Sequence, residues 1–169
     1  MNRVTLGGLA CGLALLLAAC GSSGLSDNGP FGNFGQNSGS LCQWARPGGV
    51  LQDGFEQFND TGGTAVIDKV MLVHPRHLRL LAAWAGEGIT PIGKLGRGYP
   101  HPTSAWKRIP GAIVHHTHGQ IGINVVIVVK PSGKLGTAEA IDLYYRSGGV
   151  RYLLHFPYGL QVPVGHECH

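Results

Sequence analysis

Residues 41–169 predict an all-β fold: an immunoglobulin-like two-sheet sandwich, with a small β-barrel as the alternative. Three observations carry this. Short runs rich in β-branched residues, or alternating apolar and polar, recur along the chain. Glycine-rich turns separate them, drawn from 28 glycines in 169 residues. One cysteine stands near each end of the region, Cys42 and Cys168. About 130 residues suffice for a real core, since a domain of this size buries roughly two-thirds of its unfolded surface.

In chain order, residues 64–73 (TAVIDKVMLV) form the first clear strand, bounded by Gly62-Gly63 and Pro75. Residues 78–85 (LRLLAAWA) suit a helix or a strand by propensity. Eight residues are short for a helix and Gly86 and Gly88 end the run, which favours a strand. Residues 86–110 hold five glycines and four prolines and read as a long irregular connection, the kind that often binds partners. Residues 122–130 (GINVVIVVK) are apolar on both alternating faces, as a central strand covered on two sides requires. In residues 139–146, Ile141, Leu143 and Tyr145 share one face, and Asp142, Tyr144 and Arg146 the other. Ser147-Gly148-Gly149 is turn chemistry and residues 150–156 alternate again, so the two runs make a hairpin. A last short strand spans residues 159–164.

The N-terminus has a different character. Arg3 supplies a short positive region and residues 6–17 form an apolar stretch of 12, right for a signal peptide and too short to span a bilayer. Leu17-Ala18-Ala19-Cys20 follows, then Gly21. This tetrapeptide resembles the lipobox of bacterial lipoproteins. The resemblance implies that residues 1–19 are a signal peptide and that Cys20, as the mature N-terminus, is diacylated with chains of the palmitate kind. Ordinary secretory cleavage, with Cys20 an incidental thiol, is the alternative. Two or more chains, at about 0.8 kcal/mol per buried CH₂, anchor a protein stably without spanning the membrane. The expected location is the extracytoplasmic face of the cell membrane. Of residues 21–40, fourteen are Gly, Ser or Asn, the composition of a tether, so residues 20–40 read as a lipidated tether. Phe31 and Phe34 within it read as incidental aromatics, with contact to lipid or to the folded domain as the alternative.

Cys11 leaves with the signal peptide and Cys20 carries lipid, so Cys42 and Cys168 remain in a disulfide-permissive compartment. Two cysteines allow one intramolecular pairing. A loop this long stabilises by about 4–5 kcal/mol in the chain-entropy treatment, and its closure makes the first and last strands neighbours. Two free thiols, or a thiol–metal site of Cys168 with His166 and His169, are the alternatives. Terminal cysteines, Asn59-Asp60-Thr61-Gly62 before a strand, Ala83-Trp84, Pro110-Gly111-Ala112 and Tyr144-Tyr145 together resemble small exported proteins of high-GC Gram-positive bacteria. That resemblance implies the fold and no activity.

Histidine is the compositional anomaly, at nine residues. In His115-His116-Thr117-His118, an extended backbone turns His116 and His118 to one face. Neutral imidazoles suit zinc or copper, so His115, His116 and His118 are the candidate metal ligands, with His74 and His77 or His166 and His169 to complete four. A polar strand or turn leading to Gly119 is the plain alternative. For a hydrolase, no G-x-S-x-G or S-x-x-K setting is present and the nine acidic residues form no recognisable pair, so the expectation is a non-enzyme. Gly93-x-x-Gly96-x-Gly98 neither follows a strong strand nor opens a helix, which fails the test for a phosphate loop. The formal charge of +4, +3 without Arg3, and the lack of a dense Lys/Arg stripe exclude a dedicated nucleic-acid binder. Residues 76–108 hold six Lys/Arg against Glu87 and can lie against anionic headgroups or simply be solvated. Asn59-Asp60-Thr61 matches a glycosylation sequon, but in a bacterial chain reads as a turn. Trp44, Trp84 and Trp106 read as packing residues. The expected function is a lipid-anchored, non-enzymatic module that binds an envelope protein, a wall polymer or a small ligand. A metal-binding lipoprotein is the alternative.

Overall fold

The structure, a computed structural model, describes residues 29, 31, 39–57, 63–87, 96–97, 106–115 and 123–168. Every regular element among them is a strand: β1 (Gly39–Cys42), β2 (Leu51–Gln57), β3 (Ala65–Val73), β4 (Leu78–Glu87), β5 (Gly96–Arg97), β6 (Trp106–Arg108), β7 (Ala112–Val114), β8 (Ile123–Pro131), β9 (Leu135–Ala138), β10 (Ala140–Ser147), β11 (Val150–Phe156) and β12 (Tyr158–Pro163). Among the described residues, no helix is long and apolar enough to cross a membrane.

Two open antiparallel sheets make the sandwich, of order β11-β10-β3-β7 and β5-β2-β8-β4-β6. Neither closes on itself, which sets the barrel alternative aside. Their inner faces meet: the rings of Phe55 on β2 and Phe156 on β11 lie 4.3 Å apart. Buried residues of both sheets, among them Ile67, Leu143, Val125 and Ile127, form one core. A third sheet, β1-β12-β9, carries the parallel pair β1–β12 and joins the ends of the domain. Cys42, the last residue of β1, is disulfide-bonded to Cys168, with their Cα atoms 5.9 Å apart.

Strand β8 is central in the five-stranded sheet, and its run of apolar residues on both faces has the expected meaning. Val125, Ile127 and Val129 belong to the core, while Val126 and Val128 on the opposite face are also buried. Strands β10 and β11 pair in register from Ile141↔Phe156 to Ser147↔Val150. Gly148 (φ 57°) and Gly149 (φ 80°) occupy the two positions of the turn that demand positive φ. The ambiguous run at residues 78–85 is strand, since β4 takes its ladder from β8 on one side and β6 on the other.

The connection at residues 86–110 is less irregular than its composition suggests. Strand β4 runs on to Glu87, Gly96–Arg97 pairs with β2, and Trp106–Arg108 pairs with β4. A bulge shifts the register of β3 against β10, leaving Asp68 unpaired between Ile67 and Lys69, and another sets Leu81 apart on β4. Such bulges re-aim side chains locally.

Candidate functional site

Tyr145 on β10 and Tyr152 on β11 point inward at the turn end of their hairpin, with stacked rings 5.2 Å apart. Phe31 fills the place beside them. It is 3% exposed, its ring lies 4.2 Å from that of Tyr145, and its N–H donates to Tyr145 Oη at 3.4 Å. Burial pushes the Tyr145 phenol above its ordinary pKa, the bond from Phe31 opposes this, and Tyr152 adds to it. Gly29 passes directly over the tyrosines. A Cβ there would collide with Tyr145 Oη and come within 2.7 Å of Tyr152 Cδ1. Phe31, incidental by composition, is thus a core residue, because a large aromatic ring stabilises the interior wherever the chain delivers it. Its one local signal was a phenylalanine between Pro30 and Gly32 in an otherwise polar run.

The outer face of the four-stranded sheet is built from the alternate positions of the same strands. Tyr144 stands beside Lys69, and Arg146 stands between Val66 and Arg151 in the ladder. Ile113 of β7 pairs with Val66 in the next strand. Lys69 Nζ lies 5.8 Å from the Tyr144 ring centroid, within cation–π range. The bulge brings Asp68 to Arg146, whose Nε lies 2.8 Å and 3.1 Å from the two carboxylate oxygens. This contact raises the guanidinium pKa further. An open depression of about 630 Å³ is lined by Asp68, Lys69, Met71, Tyr144, Arg146 and Arg151, and also by Tyr145 and Tyr152. A second, of about 310 Å³, shares Asp68 and Lys69 and continues to Leu80–Ala83, Arg108, Ile109 and Pro110. Lys69, Arg108, Arg146 and Arg151 thus stand around Asp68 in the two depressions, and the same face also carries Asp142, opposite Met71 in the ladder and paired with His155. Met71 and Ile113 on the same face, and Val150 at the hairpin turn, are three of the five exposed large hydrophobic residues among those described. The surface is both basic and apolar.

The residues singled out in the sequence distribute as follows. Cys20, His116, His118, His169 and the Asn59-Asp60-Thr61 triplet lie outside the described residues. His115 is the exposed residue that follows β7. His74 Nδ1 lies 2.7 Å from Glu139 Oε2, and His155 Nδ1 lies 2.6 Å from Asp142 Oδ1. These are pairs, and no group of three His, Cys, Asp or Glu side chains that could hold a metal ion occurs among the described residues. The disulfide takes Cys168 out of the thiol–metal alternative. Trp44, Trp84 and Trp106 are half-buried.

Asp53 is the unexpected acid. It sits between Leu51 and Phe55 on the inner side of β2, 8% exposed, and its Oδ1 accepts the Gly54 N–H at 2.8 Å. Burial raises its pKa to about 6, against the partial compensation of that bond.

No protein-family model matches the chain, and no curated protein matches it either. Among solved structures, the chain is similar to the ASH / PapD-like domain of human CEP192 (PapD-like domain 7) at 15% identity. The match covers 99% of this chain and 100% of that one, with a TM-score of 0.35.

Proposed function

We propose that this protein is a bacterial lipoprotein, held by acyl chains on Cys20 to the extracytoplasmic face of the cell membrane, where its sandwich has a non-enzymatic binding or structural role. The layout of residues 1–20 carries the reading: Arg3, a 12-residue apolar stretch, and Leu17-Ala18-Ala19-Cys20 at its end. The Cys42–Cys168 disulfide supports it, because such bonds persist outside the cytosol. The cations Lys69, Arg146 and Arg151 beside Tyr144 and the exposed Met71 and Ile113 on the outer face support a binding role.

Membrane fractionation with a fatty-acid label tests this. The wild-type chain is expected in the membrane fraction carrying label. Cys20→Ser is expected unlabelled and, after a high-salt wash that screens electrostatic contacts, in the soluble fraction. Undiminished membrane retention of an unlabelled Cys20→Ser chain would contradict the anchor.

A further inference from the structure

We infer that the outer face of the four-stranded sheet, centred on Tyr144 with Lys69, Arg146 and Arg151, lies against the anionic headgroups of the membrane that holds the protein. The inference rests on the lipid anchor proposed above and adds which side of the domain meets the lipid.

Two observations bear on this face: the first permits the contact and the second selects it. The first is where the chain comes from. Phe31 is fixed against Tyr145 and Tyr152, which line the same depression as Lys69, Arg146 and Arg151. Cys20 and Phe31 are separated by eleven residue steps, which span no more than about 40 Å however they are arranged. That reach lets an anchor on Cys20 and this face meet the same bilayer.

The second observation is the chemistry of the face. Lys69 and Arg151 are exposed cations with no carboxylate partner of their own among the described residues, and Arg146 retains a half-exposed guanidinium beside Asp68. Asp142, further along the same strand pair, is already engaged by His155. The Tyr144 ring stands among the charges, and Met71 at 37% exposure and Ile113 at 56% flank them. Basic side chains bordered by exposed apolar ones suit an interface with charged headgroups above acyl chains. Tyrosine, with an apolar ring and a polar tip, favours the same depth. A soluble anionic polymer would use the charges and leave Met71 and Ile113 without a role.

The test uses the mature chain with Cys20→Ser, which carries no lipid, and vesicles of phosphatidylglycerol with phosphatidylcholine or of phosphatidylcholine alone. Binding is expected to the anionic vesicles only and to weaken with salt. Removing each cation is expected to weaken it roughly fivefold, so Lys69→Gln with Arg151→Gln loses about 25-fold. The charge-preserving pair Lys69→Arg with Arg151→Lys should bind as the parent does. The pair Arg79→Gln with Lys134→Gln removes the same charge from elsewhere on the domain and should change little. Equal loss in that control pair would assign the attraction to net charge and overturn the proposal. Absence of binding to anionic vesicles would overturn it too and leave the face to a protein partner. Neither result depends on Cys20, whose acylation the fatty-acid label reports. Failure of the anchor and failure of the face are therefore read separately.

Discussion

Asp53 shows what one side chain can do to the stability of a sandwich. Its carboxyl has a pKa of about 6 in the fold against 3.8 for the free group, because burial disfavours the charged form. The folded state thus holds the proton more tightly than the unfolded chain, and stability falls as pH rises from about 4 to 6. Above that window the charged carboxylate costs on the order of 3 kcal/mol, at about 1.4 kcal/mol per pKa unit. Asp53→Asn retains an oxygen for the Gly54 N–H and carries no charge. It is expected to raise the urea midpoint at pH 7 and to flatten the pH profile between 4 and 6. An unchanged profile would show that Asp53 does not titrate in that window. Phe31 acts in the opposite sense. Phe31→Ala removes a buried ring and is expected to cost about 3 kcal/mol in urea unfolding. Gly29→Ala, which drives a methyl group into Tyr145 and Tyr152, should also destabilise the fold. A pair of silent variants would show that the packing of Phe31 contributes nothing to folding.

At the scale of elements, the disulfide closes the longest loop in the chain, with a sequence separation of 126. Removing the bond in Cys42→Ser with Cys168→Ser is expected to cost about 2–5 kcal/mol, measured by denaturant unfolding of the purified protein. That pairing was legible from the compartment and the parity of cysteines. So were the strands whose side chains alternate strictly. Residues 150–156 form β11 with the bounds the pattern predicts, and the two-sided apolar run became the central β8. Other strands left no such mark. In β2, Asp53 and Gly54 interrupt the apolar period, so its place beside β8 is a tertiary fact. Strands β6 and β7 have three residues each, too few to show a period. Strand β1 begins inside a Gly/Ser-rich run and exists because β12 offers its edge. The candidate site was the least legible part. The sequence grouped its cations by proximity in residues 76–108, whereas the fold assembles Lys69, Arg108, Arg146 and Arg151 from β3, β6, β10 and β11. The outward alternation of Tyr144 and Arg146 was readable. The bulge at Asp68 that sets their neighbours was not.

At the scale of the whole molecule, one core runs through both large sheets and takes in Phe31. The domain is therefore expected to unfold in a single calorimetric transition, with Phe31 leaving the two tyrosines in that same step. A separate early transition would show that Phe31 and its tyrosine partners come apart as an independent unit. The parallel strands β1 and β12 bring both ends of the domain to one corner, where Cys42 meets Cys168. This arrangement decides how the protein responds to mechanical tension. A pull between its N-terminal segment and its C-terminal residue loads the sulfur–sulfur bond, and everything between Cys42 and Cys168 is bypassed as slack inside a covalent ring. The ladder of β1 on β12 can be sheared and Phe31 drawn out. Beyond that, only reduction turns a short extension into the release of the entire sandwich.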